Sequence, residues 1–211
     1  MPALFFPHLD LEINMYYGSL KKNDVANGPG VRVNLFVSGC THCCKKCFNE
    51  ETWNFKFGEL YTDAVTDEIL EALAPPYVAG ITFLGGEPME PANRKEILKI
   101  AERVHQLYPY KSIWCFSGYL TEELLASAGI WNSSSVPTLD EIPRNRTIDC
   151  STPAADAEEL SRLLSLIDVL VDGEYVDEKR NLMLKFRGSE NQRLVDLKKT
   201  IAEGKIILCE Q

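Results

Sequence analysis

The 211 residues, 45% of them hydrophobic and 25% charged, suffice for one substantial core and exclude general disorder. A net charge of −9 argues against a nucleic-acid backbone as partner, because phosphate binding depends on Lys and Arg. No apolar run reaches the ~18 residues a membrane helix needs, and Met1–Phe6 lacks a basic flank and meets Pro7, so it makes a poor signal peptide and a cytoplasmic chain is expected.

In chain order, Val31–Val37 (VRVNLFV) is β-branched and apolar enough for a buried strand. Thr62–Leu73 sets Val65, Ile69 and Leu73 on one helical face, with Thr62 and Asp63 suited to its start. Ile81–Leu84 reads as a second strand, ended by Gly85-Gly86. Ala92–Tyr108 carries Ile97, Ala101, Val104 and Tyr108 as one stripe and stops at Pro109. Lys111–Phe116 is a third strand leading into Ser117-Gly118-Tyr119, and a short helix starts at Thr121. Residues 127–155 are rich in Ser, Thr, Asn and Pro without a sustained period, which predicts a loop insertion. A helix resumes over Asp156–Leu166, with Asp156 and Glu159 as a capping pair. Ile167–Val171 is a strand running into Asp172-Gly173, and Asn191–Glu203 is a last helix closed by Gly204. Nothing demands a second domain, so residues 1–211 are read as one.

Alternating strands and helices imply a parallel sheet with right-handed crossovers, in which ligands bind beyond the carboxyl ends of the strands. The cysteine-rich segment, Gly85-Gly86-Glu87-Pro88, Ser117-Gly118-Tyr119 and Asp172-Gly173 each follow a predicted strand. They are therefore expected on one rim.

Of the seven cysteines, Cys40, Cys43, Cys44 and Cys47 fall within eight residues, while Cys115, Cys150 and Cys209 stand alone as isolated thiols. A tight group of this kind points to metal or redox chemistry rather than a disulfide framework. Cys40, Cys44 and Cys47 give CxxxCxxC, a spacing that can hold three irons of a cubane cluster and leave a fourth open to a substrate. Spacing alone leaves two alternatives. One is a structural zinc site with His42 or Cys43 as fourth ligand; the other is the overlapping CxxCxxxC of Cys40, Cys43 and Cys47.

The cysteine segment resembles the radical S-adenosylmethionine (SAM) signature. Its surroundings resemble the activating proteins of anaerobic ribonucleoside-triphosphate reductase over most of residues 14–193. The resemblance is carried by Asn27-Gly28-Pro29-Gly30, Leu35 to Cys40, Thr52-Trp53, Gly85-Gly86-Glu87-Pro88, Ile113-Trp114, Ser117-Gly118-Tyr119, Val169 to Gly173, Arg187-Gly188-Ser189 and Asn191-Gln192, in that order. It departs at Lys46, where many radical SAM proteins carry an aromatic residue, and in the length of residues 127–155.

The resemblance implies an incomplete TIM-like (βα) barrel, open on one side. It implies a [4Fe–4S] cluster on Cys40, Cys44 and Cys47 with one open iron, Cys43 being a bystander, and SAM bound around Lys46, Cys47, Phe48, Gly85, Gly86, Glu87 and Ser117. It further implies reductive cleavage of SAM, a glycyl radical formed on the large subunit of the reductase, and a low-potential electron donor such as flavodoxin. On this reading Glu87 accepts hydrogen bonds from the SAM ammonium and Phe48 supplies the apolar contact that Lys46 does not. Trp53 and Trp114 are expected in the core, and His8, His42 and His105 have no catalytic role. Two rivals remain: a small-molecule radical SAM enzyme such as a 7-carboxy-7-deazaguanine synthase, disfavoured by Trp53 and Arg187-Gly188-Ser189, and a non-enzymatic zinc or iron–sulfur interaction module.

Overall fold

The computed structural model describes residues 14–131 and 154–210. His8, Cys150, the Met1–Phe6 stretch and most of the expected insertion at residues 127–155 lie outside the described residues. The elements are β1 (Tyr16–Asp24), β2 (Val31–Val37), β3 (Glu59–Leu60), α1 (Asp63–Leu73), β4 (Val78–Gly85), α2 (Pro91–Leu107), β5 (Ser112–Phe116), α3 (Thr121–Ser127), α4 (Ala154–Leu166), β6 (Val169–Asp172), β7 (Arg193–Asp196) and α5 (Leu197–Glu203). They build one mixed sheet in the order β3-β1-β2-β4-β5-β6-β7. The four central strands run parallel, while β1, β3 and β7 pair antiparallel to their neighbours, and the sheet does not close on itself.

The period of two along each strand divides the sheet into two chemically different faces. Val33, Leu35, Val37, Ile81, Phe83, Ile113, Cys115 and Leu170 are buried in one cluster with Ile69, Leu73, Ile97, Ala101, Val104, Leu160 and Leu163 from α1, α2 and α4. The alternate residues, among them Phe36, Leu84 and Phe116, line a cavity on the other face. Deep on the same strands, Arg32 is fully buried and donates to Thr82 Oγ1 (2.8 Å), the carbonyls of Ile81 and Ser112 (2.7 and 2.9 Å) and Ser112 Oγ (2.9 Å). Its guanidinium lies 5.4 Å from the Trp114 ring. Burial lowers its pKa to about 10, and the hydrogen bonds compensate a charge taken out of water.

Two expectations need correction, and one strand is new. The last helix begins at Leu197 and not at Asn191, because Arg193–Asp196 alternates and pairs with β6 while Asp196 accepts from Lys199 N as the helix cap. Asp156 lies in the first turn of α4 and does not cap it, since that helix begins at Ala154. Strand β1 was not anticipated. Its YYGSLKKND is too polar to read as buried, and it survives because it is held between β2 and β3.

Candidate functional site

The loop after β2 is fixed at its start by close backbone packing. Gly39 has φ +96°, and its N–H donates to Thr52 O (2.8 Å) while its carbonyl accepts from Glu87 N (2.8 Å). Cys40 N donates to Trp53 O (3.2 Å). Gly86 sits so close that a Cβ on it would fall 2.6 Å from Gly39 O. The cysteine loop is thus wedged between the turn of 3-10 helix at Glu50–Trp53 and the turn that ends β4. Farther along, Cys43 and Lys46 both adopt left-handed backbone, with φ +50° and +57°, which coils the loop tightly enough for Cys47 N to reach Cys44 O (3.1 Å).

Cys40, Cys44 and Cys47 line one cavity of about 590 Å³ at the carboxyl ends of the parallel strands, together with Phe48, Gly85, Gly86, Glu87 and Ser117. Residues from every predicted strand end therefore meet on one rim, as expected from the sequence. Gly118 and Gly173 lie on the same wall. Cys43 is exposed and is not part of that wall. Lys46 is not on it either; its ammonium pairs with Asp177 at 2.8 Å. The Phe48 ring, 64% exposed, stands edge-on to Tyr175 (5.3 Å) with the Arg180 guanidinium over it at 5.4 Å.

Electrostatics at the thiols favours a cationic guest. Burial, with the charge of Glu87 added, holds the Cys40 thiol well above the ordinary range, against the backbone N–H groups of His42 and Cys43 that approach it. Burial and the charge of Glu174 push Cys44 up to about 11, against the N–H of Tyr175. Burial and carboxylate charge both oppose the thiolate here, and a bound metal supplies the positive charge that favours it. N–H groups directed at sulfur are also the groups that tune iron–sulfur clusters. Among the described residues no three His, Cys, Asp or Glu side chains converge as they would on a single ion. The thiols instead share the wall of a cavity roomy enough for a cluster. The donor set and the space therefore fit an iron–sulfur group.

Glu87 is tied into the protein. Its side chain is 1% exposed, Oε1 accepts from Met89 N (2.8 Å), and Oε2 accepts from Gly118 N (2.7 Å). His42 stands beside it, Nε2 lying 3.3 Å from Glu87 Oε2 and Nδ1 lying 2.8 Å from Glu174 Oε1. Burial opposes charge on this imidazole, but the two carboxylates prevail and raise its pKa to about 10. Tyr119 packs edge-on at 4.5 Å, and a Cβ on Gly118 would meet the ring at 2.7 Å. His42 consequently joins the cysteine loop, the turn after β4 and the loop after β6. Sequence reasoning weighs it only as a fourth ligand of the alternative zinc site and gives it no catalytic role, and nothing in the sequence announces Glu174 as its partner.

Asp172 is fully buried, accepts from Thr121 N (2.9 Å) and Thr121 Oγ1 (2.7 Å), and meets Arg193 Nε at 2.9 Å, so it acts as a cap for α3. Arg193 also reaches both oxygens of Glu122 at 3.0 and 2.7 Å. Ser117 Oγ accepts from Tyr119 N (3.1 Å) at the cavity edge. Asn27 and Arg187 line the cavity. Trp53 lines it as well, contrary to the expected core position, because the 3-10 turn beside Cys40 carries it there. Trp114 is buried with Val171 and Leu194, as expected. His105 lies in the last turn of α2, outside the cavity.

Comparison with known proteins matches residues 26–195 to the family described as 4Fe-4S single cluster domain. An anaerobic ribonucleoside-triphosphate reductase-activating protein of Vibrio cholerae serotype O1 is 37% identical over 180 residues, covering 84% of this chain and 96% of that one. The protein of the same name from Enterobacteria phage T4 is 35% identical over 182 residues, covering 85% and 93%. That of Escherichia coli strain K12 is 34% identical over 180 residues, covering 84% and 96%.

Proposed function

The chain belongs to the 4Fe-4S single cluster domain family and to the anaerobic ribonucleoside-triphosphate reductase-activating proteins, and from that premise we propose that it is a radical SAM enzyme generating a glycyl radical on an anaerobic ribonucleotide reductase. The observation that carries this reading is the convergence of Cys40, Cys44 and Cys47 with Gly85, Gly86 and Glu87 on one cavity. Cys40, Cys44 and Cys47 are the cluster ligands in this reading, and one iron is left to SAM. When bound, the cluster would supply the one electron needed for reductive cleavage of the SAM sulfonium to methionine and a 5′-deoxyadenosyl radical.

The chain itself contributes position and dryness. Gly85 and Gly86 leave their backbone bare at the cavity wall, so the amino acid half of SAM approaches main-chain groups there. The Glu87 carboxylate holds that turn in shape through Met89 N and Gly118 N. Its committed oxygens assign it the setting of the turn ahead of direct capture of an ammonium. Phe48 offers the exposed ring for the adenine, Lys46 being engaged with Asp177. Phe36, Leu84, Phe116 and Phe186 line the remainder with apolar surface, which keeps water and side reactions away from a radical.

The parallel strands β2-β4-β5-β6 and their helices are read as part of an incomplete TIM-like barrel. The electron donor is a low-potential protein such as flavodoxin, and the setting is the reducing cytoplasm. Anaerobic reconstitution with iron and sulfide, followed by measurement of 5′-deoxyadenosine with and without the cognate reductase, tests the proposal. A colourless protein that leaves SAM intact refutes it.

A further inference from the structure

The segment beyond Glu178 has a composition unlike the rest of the chain. In an acidic protein of net charge −9, Lys179, Arg180, Lys185 and Arg187 fall within nine residues that contain no Asp or Glu. The preceding acids are already engaged, Asp177 by Lys46 and Glu178 by Lys45. Among the described residues neither Lys179 nor Lys185 has a carboxylate within ion-pair distance, and both are exposed. The charge of these two lysines is therefore left facing solvent.

The same segment presents apolar side chains to water from a rigid support. Residues 179–190 fold back on themselves through the Arg180↔Ser189 bridge. Three further hydrogen bonds hold the fold: Asn181 N to Gly188 O (3.2 Å), Glu190 N to Lys179 O (2.9 Å) and Asn181 Nδ2 to Glu190 Oε1 (2.9 Å). At its tip Leu182 is 78% and Met183 89% exposed. Leu182 and Leu184 belong to the cavity wall, so the finger stands at the cavity's margin. Large apolar side chains held in water beside a reaction cavity, with the exposed Lys179 and Lys185 on the same finger, mark a surface made for a macromolecule.

We infer that this finger is the docking surface for the reductase, which it meets through an acidic segment carrying an apolar anchor next to the glycine that enters the cavity. The inference rests on the function proposed above and adds where and by what chemistry the partner is recognised. The basic residues steer the acidic segment and set its orientation, and the Leu182–Met183 tip supplies the desolvated contact.

The test uses the reconstituted full chain and the cognate reductase, with Lys179→Glu/Lys185→Glu and Met183→Glu as variants. Cleavage of SAM by dithionite in the absence of reductase is measured first, and both variants are expected within about twofold of the parent. Binding to the reductase is then measured at low and at moderate salt. The parent's affinity is expected to fall as salt rises, the charge-reversed variant to bind about tenfold or more weakly with a flatter salt dependence, and Met183→Glu to bind weakly at all salt concentrations. The glycyl-radical signal should fall with binding. Variants that bind and activate the reductase like the parent overturn the inference, as does a parent that binds it with no salt dependence. A parent that binds the reductase but leaves SAM intact refutes the proposed chemistry instead, so the two failures are distinct.

Discussion

Replacing Gly86 by alanine should damage the site more than the fold. The new methyl would stand 2.6 Å from Gly39 O, 3.0 Å from Gly39 C and 3.1 Å from Gly39 N, so the closest contact is 0.8 Å short of the 3.4 Å at which ordinary contact begins. The peptide it strikes cannot retreat freely. Gly39 accepts from Glu87 N at 2.8 Å and donates to Thr52 O at 2.8 Å, and Gly86 N is itself bonded to Val37 O at 2.8 Å. Overpacking of this kind costs about 1–3 kcal/mol, and one hydrogen bond lost with it adds about 1 kcal/mol. For a chain of this size that is a melting temperature lower by about 4–16 °C. The displaced residue adjoins Cys40, so the loop and the turn after β4 move apart. Affinity for SAM should then fall by about tenfold or more, equivalent to about 1.4 kcal/mol. Iron content, thermal unfolding and SAM titration of the reconstituted Gly86→Ala protein are the measurements. A variant with parental melting temperature and parental SAM affinity would show that the two loops are not coupled through this contact.

Cys40→Ala, Cys44→Ala and Cys47→Ala should each lose the cluster, whereas Cys43→Ser should keep it; iron per chain and the electron paramagnetic resonance of the reduced protein decide, and loss of iron in Cys43→Ser reverses the ligand choice. Arg193→Met strips the cation from Asp172, fully buried, and from Glu122, and should cost about 3–5 kcal/mol. That is a fall of about 6–20 °C in melting temperature, and a shift under about 3 °C would mean that the two carboxylates find other support. His42→Leu and Glu174→Gln should each destabilise the chain, and the double variant should depart from additivity by about 1–3 kcal/mol. Additive losses in denaturant unfolding would deny the coupling of the cysteine loop to the loop after β6.

The parallel core and the rim were legible because their signals are local. VRVNLFV and ITFL carry β-branched and apolar runs, the helices α1 and α2 carry a clean stripe, and each candidate turn begins where such a strand stops. The antiparallel margins were not legible. Tyr16–Asp24 is held by β2 along its length and by β3 at Tyr16 and Tyr17, a tertiary effect that its polar residues conceal, and Arg193–Asp196 is absorbed by the sequence reading into the helix that follows it. Within the site, the cysteine cluster and the Gly-Gly-Glu turn stand out by spacing and position, while the choice of Cys40, Cys44 and Cys47 among its four cysteines rests on the family resemblance. His42 did not, because its meaning depends on Glu174, which lies 132 residues away. Trp53 was read as a core residue because a large aromatic most often is one, and only the turn beside Cys40 brings it to the cavity.

A closed cylinder of strands is reached only along its axis, so its guest must be slender or be threaded in. Here the row of strands stops at β3, two residues long, on one flank and at β7, four residues long, on the other. Because the row of strands is open, the function proposed above would let a large folded molecule bring a main-chain bend to the strand tips from the side and withdraw it again while keeping its own fold.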